Sequence, residues 1–162
     1  MGSFSISLEK FAVKSVKQAE TATRKIAMEA FKRVIEKSPV GDPSKWNADF
    51  VAAGTKLGWF DANYKGGRFR ANWGVSVGSP FAGTNGDHDK TPTGNRGGKT
   101  IANAEWAAAK WNGRGSIWLN NNVAYSIALE KGHSKQAPSG MVRITVAEMQ
   151  NGAAESALKG GM

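Results

Sequence analysis

The residues best suited by type to bind a phosphate lie between Gly94 and Thr100. Gly98, Lys99 and Thr100 end a glycine-rich stretch that precedes a predicted helix. Such a loop wraps a nucleotide phosphate when another glycine stands five positions before the Gly-Lys-Thr sequence. That position is Thr93, and no apolar strand leads into the loop. The spacing therefore argues against a nucleotide hydrolase.

Histidine and carboxylate side chains that could bind a metal stand together at 87–89, in the sequence Asp-His-Asp. The calcium-loop spacing begun there puts Pro92 at the turn glycine and Gly98 at the bidentate glutamate, so that pattern is absent. Without cysteine, and with His133 as the one other histidine, no zinc site or catalytic triad is visible. The other acids considered for catalysis stand singly: Asp49, Asp61, Glu105 and Glu130. We predict that the protein is not an enzyme and uses no metal or cofactor.

Length and charge limit the remaining classes. The chain of 162 residues suits one domain with its own core. It has no apolar run of about 18 residues and no secretion-type start, so we predict neither a membrane-spanning nor a visibly secreted protein. The net charge of +9 favours an anionic neighbour such as DNA, although an ordinary solvated basic surface explains it equally well.

A long helix is predicted at 8–37, because apolar residues recur there at steps of three and four without glycine or proline. Ser7 is the expected N-cap, and Pro39 ends the helix by disfavouring helical dihedral angles at Ser38. About 30 residues at about 1.5 Å each give a rod of about 45 Å, longer than a domain of this size requires. An overhanging helix is typical of a chain that contacts a neighbouring subunit.

The predicted elements after this helix are a loop-rich insertion at 40–66 with one helical turn near 47–53, a half-buried strand at 70–77, a flexible loop at 78–98, a helix at 100–111 and a strand at 117–119. Because a two-stranded sheet is marginal, at least one more strand is expected from the insertion or from a neighbouring chain. We therefore predict a single α+β domain over 1–162. Its long N-terminal helix and further helices pack on a small, mostly antiparallel sheet.

The stretch 117–142 is the most informative part of the sequence. The asparagines at 120–122 follow an apolar run and indicate a turn at the end of a strand. From Val123 the apolar positions take helical spacing, Gly132 is a helix stop, and helical spacing resumes at Met141. A polar turn is predicted between two helices.

This stretch resembles the tail-completion proteins of long-tailed phages, the minor tail proteins of the lambda Z-like type. The family motif N-N-x-x-Y-A-x-x-L-E-x-G-x-S-x-Q-A-P-x-G-M-V is matched, with Ser126 in place of its alanine, by Asn121, Asn122, Tyr125, Leu129, Glu130, Gly132, Ser134, Gln136, Ala137, Pro138, Gly140, Met141 and Val142. A second motif, S-P-V-D-T-G-x-(F/L)-R-x-x-W, is split by the insertion. Its matches are Ser38, Pro39, Val40, Gly67, Arg68, Phe69, Arg70 and Trp73, and no Asp-Thr-Gly follows Val40.

The resemblance implies a structural virion protein, made in the cytoplasm of a bacterial host and placed in the neck or tail. It implies a homo-hexameric ring around the DNA channel, with the head adaptor or stopper, the tail terminator and the tail tube as neighbours, and with no membrane or small-molecule substrate. A closed ring needs two different complementary surfaces, for which the long helix and 125–141 are the candidates. The residues expected at subunit or ring interfaces are Arg68, Phe69, Arg70, Trp73, Tyr125, Leu129, Glu130, Gly132, His133, Ser134, Lys135, Pro138, Gly140 and Met141.

The turn at 130–140 is expected to hold one shape, with apolar residues on either side anchoring its ends and 133–135 facing outward. We expect it to contact an adjacent subunit or ring. On this expectation, Gly132→Val or Pro138→Ala impairs the joining of heads to tails more than it impairs folding.

Contact with a passing genome is expected to be electrostatic and independent of sequence, because the chain shows no motif that places side chains against base edges. The basic residues expected at the lumen are Lys10, Lys14, Lys17, Lys90, Arg96 and Lys99. The loop at 78–98 is expected to change shape as rings assemble. The alternatives are a tail terminator or other neck adaptor ring, and a small basic protein that binds nucleic acid non-specifically.

Overall fold

The computed structural model describes residues 3–59, 63–90 and 98–160, and within them the chain is α+β, as predicted. In chain order the elements are α1 (Ser3–Lys37), a 3₁₀ turn (Pro43–Lys45), α2 (Ala48–Lys56), α3 (Arg68–Ala71), β1 (Trp73–Val77), α4 (Gly98–Ala108), β2 (Ile117–Asn121), α5 (Ser126–Glu130) and α6 (Val142–Gly160). Helices α1 and α4 pack on each other, α4 packs on β1, and α6 packs on α1.

Helix α1 begins earlier than predicted, at Ser3. The prediction of Ser7 as its N-cap is wrong, because neither glycine nor proline interrupts the chain there and the helix continues through it. At the other end, the backbone N–H of Ser38 bonds to the carbonyl of Ile35 at 3.1 Å, and Pro39 follows. With 35 residues, the helix is about 52 Å long.

The two ends of α1 differ in burial. Phe31, Val34 and Ile35, near its C-terminus, are buried in the core. Between 10 and 19, every side chain is exposed except that of Ser15, which is half-buried. The predicted overhang is therefore present. Its contact with a neighbouring subunit remains a prediction.

Strands β1 and β2 pair antiparallel, with Val75 opposite Leu119 and Trp73 opposite Asn121. The described residues form no third strand. The expectation that the insertion supplies one is wrong for its described residues, which fold instead into the 3₁₀ turn and α2. Helices on the sheet take the place of further strands in stabilising this small pair.

Strand β1 begins three residues later than predicted. Gly67 has a φ of +80°, and the chain turns there into the four-residue helix α3. The backbone N–H of Asn72 closes that turn on the carbonyl of Arg68 at 3.1 Å. Phe69 and Arg70 are both buried by the turn. Tertiary burial therefore overrides the alternating pattern that predicted a strand from 70.

Three other boundaries differ from prediction. Helix α2 spans nine residues rather than one turn, and the Asn47 side chain caps it by accepting from the N–H of Phe50 at 2.7 Å. Helix α4 begins two residues early and ends at Ala108, because Trp111 turns away and donates from Nε1 to the carbonyl of Gly115 at 3.2 Å. Strand β2 continues through 120–121, where a turn was predicted.

Candidate interface site

The polar turn between α5 and α6 is built around the carboxylate of Glu130. Its Oε2 accepts from the backbone N–H groups of Met141 at 2.9 Å and Val142 at 3.0 Å. Its Oε1 accepts from the N–H of Arg143 at 2.9 Å. The first N–H groups of a helix have no partner within it. Glu130, at the end of α5, therefore caps α6 and fixes the angle between the two helices.

Two glycines allow the ends of the turn to come together. Gly140 has a φ of +77°, and a Cβ there would lie 2.6 Å from Oε1 of Glu130. Gly132 has a φ of +88°, and a Cβ there would collide with the carbonyl oxygen of Pro138. The expectation that Gly132→Val largely spares folding is corrected, because the added side chain meets backbone. Pro138, whose side chain is exposed, stays the position at which joining is expected to suffer more than folding.

Gln136 connects the turn to the chain that leaves α1. Its Oε1 accepts from the N–H of Val40 at 3.2 Å, and its Nε2 donates to the carbonyl of Val40 at 2.9 Å. The amide thus pairs with one backbone unit as a neighbouring strand would. Both residues belong to the family-like motifs, which are far apart in the sequence and meet here.

A buried joint centred on Ser38 continues from this contact. The Ser38 hydroxyl donates to the carbonyl of Val34 at 2.8 Å and accepts from Nε1 of Trp73 at 2.6 Å. The Ser38 carbonyl accepts from Nη2 of Arg70 at 2.9 Å. Ser38 and Arg70 are 2% and 4% exposed. These motif residues hold α1, α3 and β1 together.

A cavity of about 450 Å³, which we call the aromatic groove, lies beside the turn. On the insertion side its lining includes Trp46, Phe50, Trp59 and Tyr64, and on the other side Phe69, Tyr125, Ala128, Leu129 and His133. The rings of Trp46 and Tyr64 stack with centroids 5.4 Å apart. Phe50 meets Trp46 edge-on at 5.3 Å. The groove is thus a structured aromatic surface between the insertion and α5.

The groove is lined mainly by uncharged side chains. Burial raises the pKa of Tyr125 and of Tyr64 above that of a free phenol, so both hydroxyls stay protonated at neutral pH. At the edge, Lys45 pairs with Asp42 at 3.3 Å. Such a lining suits an apolar or aromatic-compatible partner better than a phosphate.

The residues predicted at an interface fall into three groups that differ in how deeply they are buried. Exposed or half-buried on the turn are Gly132, His133, Ser134, Lys135 and Pro138. Half-buried, and in contact with the core, the groove or a helix terminus, are Arg68, Trp73, Tyr125, Leu129 and Glu130. The expectation is corrected for Phe69, Arg70, Gly140 and Met141, which are buried in the chain's own interior. These four support the surface rather than form it.

Asparagine side chains fasten the loop after β1 to the sheet, a role that the sequence reasoning missed. Asn120 accepts from the N–H of Phe81 at 3.0 Å and donates to its carbonyl at 2.8 Å, and Asn122 donates to the same carbonyl at 2.8 Å. Asn72 likewise accepts from the N–H of Asn85 at 2.8 Å. Asparagine amides mimic peptide groups, so a run of them opposite a long loop was the available signal.

The basic residues predicted at the lumen have different surroundings. The three on α1 are exposed, and among the described residues none of them has an ion-pair partner; Lys90 is exposed as well. Lys99 pairs with Asp87 at 3.5 Å. Arg96 lies outside the described residues. Lys10, Lys14, Lys17 and Lys90 are therefore exposed positive charges that can meet an anion.

The Asp-His-Asp sequence at 87–89 is occupied by contacts with its own chain. Nδ1 of His88 lies 2.7 Å from the carbonyl oxygen of Gly66. Oδ2 of Asp89 accepts from the hydroxyl of Thr100 at 2.6 Å and from its N–H at 3.2 Å, in the first turn of α4. Across the described ranges, no group of three or more histidines and acids is placed to hold a metal ion. None of the helices searched there is long and apolar enough to cross a membrane.

No family model matches the chain, and no curated protein or solved structure matches it.

A pH-dependent loss of stability is expected for Glu130→Gln. Burial raises the pKa of Glu130, but hydrogen bonds from three backbone N–H groups and the charge of Arg143 lower it further, so the pKa lies below its ordinary value. A depressed pKa means that the ionised cap stabilises the fold fully above the unfolded pKa of about 4.3 and less as pH falls through the folded pKa. Loss of the cap is expected to cost about 1 kcal/mol at pH 7.

Urea unfolding of the wild-type chain and the glutamine variant at pH 7 and pH 3 measures this difference. We expect the stability gap to be smaller at pH 3 than at pH 7, because the stabilisation by the ionised carboxylate is progressively lost as the pH falls below the unfolded pKa and through the lowered folded pKa. A gap of the same size at both pH values would mean that the carboxylate charge is not the source of the cap's effect.

Proposed function

We propose that the protein is a structural component of a phage virion, a tail-completion ring that joins the tail to the head and surrounds the DNA channel. The proposal begins with the resemblance of 121–142, and of the split motif at 38–40 and 67–73, to that family. It includes a homo-hexameric assembly and contacts with the adjoining neck and tail proteins.

The observation that carries the proposal is the convergence of the two motifs. The Gln136 amide pairs with both backbone groups of Val40, and Ser38, two residues before Val40, binds Trp73 and Arg70. Residues that match a family pattern by chance have no reason to meet at one joint. Their meeting supports the view that the motifs specify one architecture, in which the turn at 130–140 is presented outward.

Gold-labelled antibody against the chain, viewed by electron microscopy on purified particles, tests the location. We expect label at the junction of head and tail. Label along the tail shaft would contradict a position in the neck. So would particles that contain the chain but carry no label at the junction.

Non-specific binding of nucleic acid is the second candidate. It is favoured by Lys10, Lys14 and Lys17 of α1, which are exposed and have no ion-pair partner among the described residues. In the ring proposal these lysines make only weak contacts with phosphates. In the alternative they are the main binding surface, and affinity falls steeply with salt.

Replacing Lys10, Lys14 and Lys17 together by glutamine separates the two. We expect particle assembly to stay intact. If the chain binds duplex DNA, the slope of the logarithm of the binding constant against the logarithm of the salt concentration should become less steep by up to about three. Fluorescence anisotropy over a range of salt concentrations measures the slope, and particle counts measure assembly. Tight binding of short duplex DNA by the wild-type chain at physiological salt, with a steep salt dependence that the triple variant loses, would instead favour the alternative.

A further inference from the structure

The exposed N-terminal part of α1, residues 10–19, continues the helix face that is buried further along. Val13, Glu20, Ala27 and Val34 are seven residues apart and therefore lie on nearly one face. Burial falls along this row: Val34 is 4% exposed, Glu20 and Ala27 are half-buried, and Val13 is 51% exposed. We call residues 10–19 the overhang. It presents an apolar face that the chain itself leaves uncovered.

The rest of the domain packs against this face of α1 only as far as Glu20. There the loop after α4 touches the helix, since a Cβ on Gly113 would lie 2.9 Å from Cγ of Glu20. Beyond it, on the same side of the helix, Val13 is 51% exposed and Val16 is 58% exposed. At about 1.5 Å per residue, the overhang is about 15 Å of helix. Helices depend on tertiary packing for most of their stability, so a partner is needed here.

The aromatic groove lies at the opposite end of the same helix. Its lining includes Pro39 and Gly41, which directly follow α1. Because α1 is a rod of about 52 Å, the overhang of one chain cannot reach its own groove. A second copy placed head to tail can bring the two surfaces together.

Charge favours the groove over pairing of two overhangs. Residues 10–19 contain Lys10, Lys14 and Lys17 and no acid, so two packed overhangs would set like charges side by side. Lysines are attracted instead to the faces of aromatic rings. This chain already uses that contact where Lys110 lies 3.3 Å from the ring centroid of Trp106.

We propose that the overhang of one copy docks in the aromatic groove of the next copy. The proposal rests on the ring assembly proposed above and names the contact that builds it. Each copy offers one surface of each kind, which is the heterologous contact that a cyclic ring requires. The apolar face enters the groove between the insertion and α5, while the flanking lysines lie against its rings and near Asp42.

Sedimentation velocity of the purified full chain tests the contact with matched variants. Val16→Glu places a charge on the apolar face, and Gln18→Glu places the same charge on the opposite side of the helix. We expect the first to weaken association by about tenfold or more and the second to leave it near the wild-type value. Ala128→Arg places a large charged side chain in the groove and should weaken association. Phe50→Ala is a smaller change to the groove wall and tests the same contact if the arginine variant fails to fold.

Mixing gives the sharpest outcome. Val16→Glu keeps a good groove and Ala128→Arg keeps a good overhang, so the mixture should associate through at least one intact contact, more strongly than either variant does alone. The inference is overturned if the wild-type chain remains a monomer at the highest concentration reached, if both groove variants assemble like the wild type, or if Val16→Glu behaves as Gln18→Glu does. If the copies form a ring through another contact, this inference alone is overturned. If they form a ring through the proposed contact but the ring is not found where the phage head joins the tail, the proposed function alone is overturned.

Discussion

Gly132→Val is expected to lower the free energy of unfolding by about 3 kcal/mol or more. The φ of Gly132 is +88°, where an L side chain is strained and a β-branched one is strained further. The new Cβ would also meet the carbonyl oxygen of Pro138. Because that atom belongs to the backbone, the turn must open to relieve the collision. Urea unfolding followed by circular dichroism measures the loss.

Gly152→Ala is the matched control for this change. Gly152 is within α6, and a Cβ there meets nothing within 4 Å. Alanine is the better helix former, so this variant is expected to gain about 0.5–1 kcal/mol. A Gly132→Val protein with wild-type stability would show that the close approach across the turn is not required for folding.

Met141→Ala is expected to cost about 2–5 kcal/mol, since it removes a large side chain from a packed interior. Met141 is 0% exposed and belongs to a core cluster with Val34, Phe69, Val123 and Ala137. Thermal unfolding or urea unfolding measures the effect. The loss arises from a cavity, and it should therefore appear in the isolated chain, without any partner.

Ile127→Ala provides the comparison. Ile127 lies on α5 and is 68% exposed, so truncating it should change stability by less than about 0.5 kcal/mol. Equal losses for Met141→Ala and Ile127→Ala would contradict the assignment of Met141 to the interior.

The helices were the part of the fold that the sequence specified best. An uninterrupted apolar spacing and a following proline predict the C-terminal end of α1, and Gly132 predicts the end of α5. Periodicity failed at 70–72, where burial of Phe69 and Arg70 in a helical turn overrides the alternation. It also underestimated the length of α2, predicted as one turn near 47–53, because the scattered aromatic residues of the insertion line a groove rather than a regular helix face.

The sequence predicted where the candidate site lies but not which contacts hold it together. The motif locates the turn at 130–140, yet only the three-dimensional contacts reveal that Glu130 caps α6 and that Gln136 pairs with Val40. Such contacts join residues far apart in the chain, and no local spacing encodes them. For the same reason the sequence could not separate the buried Met141 from the exposed His133, which share one motif.

Electron micrographs of particles made after deletion of this chain's coding sequence from the viral genome test the central claim most directly. If the protein completes the tail and joins it to the head, the preparation should contain separate heads and separate tails. Supplying the wild-type chain should restore joined particles. Joined, infectious particles in its absence would contradict the proposed function.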